Sequence, residues 1–251
     1  MVKKKLGQHF LIDKSVAARE IHYASIMGDD VVLEVGPGPG VLTELLAHRA
    51  KQVVAIEIDE RLVQKLVSWA PDNVQIIHGD ALKTDFTRLP SFNKIVANLP
   101  FQISSPLTFK LLRYPFSQAV LMYQKDFAQR MIASPGTKAY SRLSVGVQYK
   151  AQCRILETVP RTCFSPQPKI DSCIVELVPR KKPLFHVADE AFFFDITKIL
   201  FNHRRKKIKN TVEEAFHVKE TDLPYENRRV EELTPEQIGE LSNVLFTRYH
   251  R

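Results

Sequence analysis

Glu34-Val35-Gly36-Pro37-Gly38-Pro39-Gly40 sets three glycines at alternate positions behind an acid, between a β-branched run and a helical stretch. Glycine lets the chain turn sharply and lets a ligand approach the main chain, and the helix start that follows offers free N–H groups. A nicotinamide dinucleotide loop would want glycine at 36, 38 and 41, but Val41 occupies the third place, and no Gly-Lys-Ser/Thr phosphate loop follows. Two more acids end the next two apolar runs, Glu57 and Asp80. Glu57 suits both hydroxyls of a ribose, Asp80 an adenine amino group, and Glu34 a ligand ammonium. The set offers carboxylates for sugar and amines and nothing for a pyrophosphate. That chemistry suits S-adenosylmethionine, which is cationic and carries no phosphate. A bare strand–helix turn needs glycine too, but it does not need acids at three successive strand ends.

A second group follows in Asn98-Leu99-Pro100-Phe101. Proline fixes the chain where ligands of open α/β folds bind, beyond the carboxyl ends of the strands. The exocyclic amine of adenine is a poor nucleophile because its lone pair is delocalised into the ring. Two acceptors, the Asn98 side-chain oxygen and the Leu99 carbonyl, would favour a pyramidal nitrogen aimed at a methyl sulfonium. Phe101 would stack on the base, which must leave its helix or loop to reach such a site. Phe164, in the stiff segment Phe164-Ser165-Pro166-Gln167-Pro168-Lys169, could clamp the other face of the base or plug the core at a strand end.

The elements that must carry these residues follow from the same stretch of chain. Strands are expected at Val31–Val35, Val53–Ile58, Val74–His78, Lys94–Asn98 and Ala119–Tyr123, with helices between them, such as Val41–Arg49 and one near Glu60–Ala70 capped by Asp59. Alternation of this kind implies a parallel sheet covered on both faces. Arg154–Val159 and Ser172–Val178 read as two successive strands, an antiparallel pair at one sheet edge. Pro179-Arg180-Lys181-Lys182-Pro183 marks a boundary, so the first domain is residues 1–179 and the second, all-helical, is residues 180–251. In the second, Thr234-Pro235-Glu236-Gln237 opens a helix with a capping box and proline at its first position.

The whole chain has 251 residues, 36 Lys and Arg against 28 Asp and Glu, and a formal charge of +8. With 44% hydrophobic and 25% charged residues it is globular, neither disordered nor fibrous. Three cysteines, Cys153, Cys163 and Cys173, with no C-x-x-C pair, fit neither a disulfide framework nor a zinc cage, and no metal is expected. Lys3-Lys4-Lys5 is followed by an apolar stretch broken by Gln8, His9 and Asp13, so no secretory leader and no membrane span is read there. A soluble cytoplasmic protein, monomeric by default, is the expectation. The basic excess points to an anionic partner, and Arg204-Arg205-Lys206-Lys207 with Lys209 is the densest basic run.

Taken together, these segments resemble the ribosomal RNA adenine N6-dimethyltransferase family, in particular members that dimethylate two adjacent adenines near the 3′ end of small-subunit (16S) rRNA during ribosome biogenesis. The likeness spans nearly the whole chain. It implies a Rossmann-like class I S-adenosylmethionine methyltransferase sheet followed by a small helical rRNA-binding domain. Gly7-Gln8-His9-Phe10-Leu11 is similar to the family's N-terminal motif, which makes Gln8, His9 and Leu11 cofactor contacts. Gly36, with Gly38 and Gly40 in its loop, Glu57, Asp80 and Asn98 fall on the other cofactor positions. Phe164 to Ser172 resembles the base-clamping segment, and Phe201-Asn202-His203-Arg204-Arg205-Lys206 with Asn210 resembles the signature helix of the ribosomal branch. Phe101 replaces the usual tyrosine, which keeps the flat ring and loses a hydroxyl, and His9 stands where many bacterial members have asparagine. Phe101, Gln102 and the short tail look more like archaeal members.

The resemblance implies small-subunit rRNA and the pre-small ribosomal subunit as partners, gripped through phosphates by Lys3–Lys5, Arg204, Arg205, Lys206, Lys207 and Lys209. Three other readings stand beside it: the antibiotic-resistance branch acting on a large-subunit adenine, a DNA adenine methyltransferase, and a non-catalytic assembly factor. Gly7 and the Arg204-Arg205-Lys206 segment weigh against the first. The second would carry Asn/Asp-Pro-Pro-Tyr in place of Asn98–Phe101, and the intact Gly36, Glu57, Asp80 and Asn98 weigh against the third.

Overall fold

The computed structural model describes residues 8–219 and 222–249; Lys3, Lys4, Lys5 and Gly7 lie outside the described residues. In chain order the elements are β1 (Phe10–Leu11), α1 (Lys14–Ala24), β2 (Val31–Val35), α2 (Val41–Ala47), β3 (Gln52–Glu57), α3 (Glu60–Val67), β4 (Val74–His78), β5 (Lys94–Asn98), α4 (Ser104–Leu111), β6 (Gln118–Gln124) and α5 (Lys125–Met131). They continue with α6 (Arg142–Lys150), β7 (Ala151–Val159), β8 (Phe164–Ser165), β9 (Ser172–Pro179), α7 (Glu190–Asn202), α8 (Ile208–Phe216) and α9 (Pro235–Tyr249).

β2 to β6 are rich in Val, Ile and Ala, and β2, β3, β5 and β6 are buried almost end to end, as strands of a sheet covered on both faces must be. Their order is β4-β3-β2-β5-β6-β9-β7. β4 through β6 run parallel, and β9 joins β6 antiparallel, from Ala119↔Leu177 to Gln124↔Ser172. The two late strands therefore lie side by side at one edge, as their succession suggests. From β2 the chain first builds outward to β3 and β4, then returns to place β5 on the other side of β2. That reversal opens a crevice at the carboxyl ends of β2 and β5, the standard ligand position of such sheets. One face of the sheet is sealed by Val16, Ala17 and Ile21 of α1 and Leu42 and Leu46 of α2 against Val96, Val120 and Met122.

Helix ends follow their side chains. Asp13 accepts from Ser15 N at 2.9 Å to start α1, and Asp59 accepts from Arg61 N at 3.1 Å to start α3. Thr234 and Gln237 form the expected reciprocal cap, with Thr234 N donating to Gln237 Oε1 at 3.0 Å and Gln237 N to Thr234 Oγ1 at 3.3 Å.

The chain divides into two compact units, Met1–Ala128 with Gln152–Pro179, and Gln129–Ala151 with Arg180–Arg251. One break between the units falls at Pro179. The second unit, however, also takes Gln129–Ala151, which composition leaves with the first. The reason is packing: Tyr140, Val145 and Tyr149 share one apolar core with Phe193, Leu200, Val212, Ile238 and Leu245, and the buried Tyr140 hydroxyl donates to the Leu233 carbonyl at 2.9 Å. Among the described residues no helix is long and apolar enough to cross a membrane.

Candidate active site

The glycine loop leaves β2 and enters α2. Gly36, Gly38 and Gly40 all have positive φ. At Gly38 a Cβ would lie 2.9 Å from the Phe10 ring, and at Gly40 it would lie 2.3 Å from Trp69 and 2.8 Å from Leu66, so no larger residue fits either place. Glu57, at the end of β3, holds the loop in register: its Oε2 accepts from Gly38 N at 3.1 Å, and its Oε1 from Ile58 N and Asp59 N at 2.8 and 2.9 Å. Asp80 follows β4, its Oδ1 accepting from Leu82 N at 2.9 Å, while Oδ2 has no protein donor among the described residues.

These groups converge on one open cleft. Gln8, His9, Gly36, Gly38, Glu57 and Asp80 line it on the loop side, and Asn98, Leu99, Pro100 and Phe101 line it on the other. Ile58, Leu82 and Ile103 add apolar wall, and among the described residues no Lys or Arg lines it. A cleft with two carboxylates and no cation disfavours a phosphate and suits a cationic, phosphate-free nucleoside, so the donor set fits S-adenosylmethionine. Phe101 opens a 3₁₀ turn, Phe101–Ile103, directly after Pro100. Its ring stacks on that of His9, with centroids 5.9 Å apart, and His9 Nδ1 lies 2.7 Å from the Pro166 carbonyl oxygen.

Four expected site residues are placed elsewhere. Glu34 is 1% exposed and does not line the cleft. It accepts from Thr43 Oγ1 at 2.8 Å, and burial pushes its carboxyl up to about 8; an acid inside a parallel strand flanked by α2 turns inward to its helix rather than outward to a ligand. Gly40 is the N-cap of α2 and contacts Trp69 and Leu66, not the cleft. Leu11 and Phe164 pair across β1 and β8 and are both buried in the core of the first unit. Of the two readings of Phe164, the structure places it as the core plug, because strand pairing turns its ring inward.

The basic run is corrected as well. Arg204 to Lys207 sit on the turn between α7 and α8, with Lys207 the N-cap of α8, and Lys209 alone lies on the helix. Arg204 is a structural brace: it donates to Glu231 at 2.5 Å and to the Lys138 and Thr137 carbonyls at 2.9 and 2.8 Å. Lys206 pairs with Glu214 at 2.5 Å and Lys207 reaches Asn227 Oδ1 at 3.2 Å, while Arg205 is exposed and Lys209 half-buried.

Sequence reasoning missed one positioning residue on the cofactor side. Lys110 of α4 donates to the carbonyls of Ala81 at 2.8 Å, Leu82 at 3.0 Å and Thr84, and sits over the Phe86 ring at 4.3 Å. It clamps the loop that presents Asp80. Nothing in the sequence signals this, since a lysine in a short amphipathic helix reads as a solvated one.

An open, mostly parallel sheet with its crevice at the β2/β5 switch point and a carboxylate-lined cleft there, free of cations among the described residues, defines a class I S-adenosylmethionine-dependent methyltransferase. A family model described as ribosomal RNA adenine dimethylase matches residues 1–246. The chain belongs to that family, and it is an rRNA adenine dimethyltransferase. Two relatives carry the name probable ribosomal RNA small subunit methyltransferase A. That of Methanosarcina acetivorans is 46% identical, covering 95% of this chain and 92% of its own. That of Methanococcus maripaludis is 48% identical, covering 97% and 96%. Among solved structures, a dimethyladenosine transferase from Plasmodium falciparum matches with a TM-score of 0.78 at 28% identity, covering 95% of this chain and 98% of that one. The 23S rRNA methyltransferase ErmE matches with a TM-score of 0.68 at 29% identity, covering 93% and 98%.

Proposed function

We propose that this protein dimethylates N6 of two adjacent adenines near the 3′ end of small-subunit (16S) rRNA, acting on the pre-small ribosomal subunit in the cytoplasm. The observation that carries the reading is the meeting, in one cleft, of Glu57 and Asp80 on one wall with Asn98-Leu99-Pro100-Phe101 on the other. The names of the archaeal relatives support the small subunit over the large.

S-adenosylmethionine, when bound, supplies a methyl group on a positively charged sulfur. Gly38, Glu57 and Asp80 would hold its nucleoside, with Gln8 and His9 beside it in the cleft lining. Asn98 Oδ1 and the Leu99 carbonyl accept the two hydrogens of the target amine and so direct its lone pair. Phe101 stacks on the extruded base and excludes water from one face. Position and orientation account for the rate, because the leaving group is already good and no dedicated base is needed: the methylated nitrogen is strongly acidic and releases its proton to water. Arg205 and Lys209, with Lys206 and Lys207 once they exchange their protein partners, are proposed to contact rRNA phosphates. The working unit is taken to be one chain, which sedimentation at a mass of 28.8 kDa tests.

The direct test incubates the protein with labelled S-adenosylmethionine and unmethylated small or large subunits, followed by mapping of dimethyladenosine. Two adjacent labelled adenines in the small subunit are expected. Label confined to large-subunit RNA overturns the substrate assignment.

A further inference from the structure

The inward face of α1 consists of Val16, Ala17, Ile21 and Ala24, interrupted by one acid, Glu20. Glu20 is 0% exposed. A carboxyl group buried to that degree is costly unless it is hydrogen-bonded, paired or neutralised. Among the described residues no cation answers it. The acids nearest in charge are Glu34 of β2 and Glu157 of β7, and both disfavour its ionisation. The nearest guanidinium on its own helix, Arg19, is committed to Glu157 at 2.7 Å. The only side-chain partner of Glu20 among the described residues is Asn98: with its nitrogen turned inward, the Asn98 amide donates to Glu20 Oε1 at 2.8 Å and Oε2 at 3.2 Å.

An asparagine amide presents nearly the same shape whichever way it is turned, so shape alone does not choose which end faces the cleft. The choice matters here. An amide oxygen facing the cleft accepts from the target amine, whereas an amide nitrogen facing it would set one donor against another. Resting on the reading of Asn98 as the acceptor for the target amine, we propose that Glu20 is a positioning residue that fixes the Asn98 amide with Oδ1 toward the cleft. Its oxygens select the nitrogen end from behind. Burial and the two neighbouring acids raise its carboxyl well above the usual range; ionised it has no donor and admits only the nitrogen end, and protonated it keeps one oxygen that accepts the Nδ2–H beside an O–H that can also serve Oδ1. Glu20 thus lends directionality to a catalytic residue without touching the substrate.

The test is a double-mutant cycle on E20L, E20Q, N98A and E20L/N98A, reading kcat, S-adenosylmethionine Kd and Tm. A positioning role predicts that E20L lowers kcat at least about tenfold, while Kd stays within about twofold. Tm should hold or rise, because a buried acid replaced by an apolar side chain of similar size is often neutral or stabilising. E20Q, which keeps an acceptor oxygen, should restore most of the lost rate, and E20L/N98A should be no slower than N98A. An E20L enzyme within about twofold of wild-type kcat, beside a crippled N98A, overturns the role of Glu20 and leaves that of Asn98 standing. Falls in kcat that track falls in Tm in both E20L and E20Q also overturn it, as a purely structural effect. A near-normal N98A would instead remove the reading of Asn98 on which the proposal rests.

Discussion

The imidazole of His9 lies against the ring of Phe101, 5.9 Å between centroids and 29° between planes. His9 belongs to the N-terminal segment beside the glycine loop and Phe101 to the turn after β5, so the stack joins the cofactor wall of the cleft to the base wall. The contact of His9 Nδ1 with the Pro166 carbonyl at 2.7 Å anchors it from the segment after β8.

Removing the ring at Phe101 should harm the RNA side of the site more than the cofactor side. A base stacked on an aromatic side chain gains about 1–3 kcal/mol. F101A is therefore expected to raise KM for the small subunit at least about fivefold, while S-adenosylmethionine Kd moves little; F101Y should retain activity. Steady-state kinetics and calorimetric titration of each variant check both halves.

Lys110 offers a test of the loop that presents Asp80. Its ammonium serves three main-chain carbonyls, and burial lowers its pKa from the ordinary lysine value. Lys110→Met leaves those carbonyls unanswered at a cost of about 2 kcal/mol, or roughly 4–8 °C in Tm for a chain of this size. Cofactor affinity should fall with it, because Asp80 loses its support. A thermal melt and a titration with S-adenosylmethionine on the same variant decide this.

Glu34 makes stability depend on pH in a defined direction. Burial chiefly, with a smaller push from nearby Glu57, raises its carboxyl to about 8 against the pull of the Thr43 hydroxyl. The folded protein thus holds this proton more tightly than the unfolded chain. The stabilisation is complete below the ordinary glutamate range, near pH 4.5, and is lost as pH rises through about 8. Glu20 acts in the same sense. Glu34→Gln should flatten part of the decline in Tm between about pH 5 and pH 8.5, and an unchanged slope would count against the buried proton.

Arg204 and Arg205 are neighbours with opposite expected phenotypes. Arg205→Ala should weaken rRNA binding and lower the slope of log K against log salt by about 1, with Tm unchanged. Arg204→Ala should lower Tm, because it strips the brace to Glu231, Thr137 and Lys138. Filter binding over a salt series, with a melt of each variant, separates the two.

Much of the fold was legible because its signals are local. β-branched runs at Val31–Val35 and Lys94–Asn98 became strands at those bounds, and Asp59 and Thr234 capped the helices expected of them. Gly36, Gly38, Glu57, Asp80 and Asn98 were legible for a related reason: in an alternating α/β chain the residue after each strand lands at one edge of the sheet, so linear order already maps to a common cleft.

Direction and distance were not legible. A strand residue faces one side or the other according to its neighbours, and tertiary packing alone turned Glu34 toward Thr43 and Phe164 into the core. The helical unit claimed Gln129–Ala151 because the aromatic faces of Tyr140 and Tyr149 found partners more than forty residues away, beyond any window that reads periodicity. Arg204 looked free as one of four consecutive cations until folding brought Glu231 to it. The sequence by itself determined which residues could form a methyl-transfer site and on which strand ends they sit. Tertiary structure decided which of them reach the cleft, and put Lys110 and Glu20 behind Asp80 and Asn98, because hydrogen bonds between distant segments depend on three-dimensional approach that no local spacing encodes.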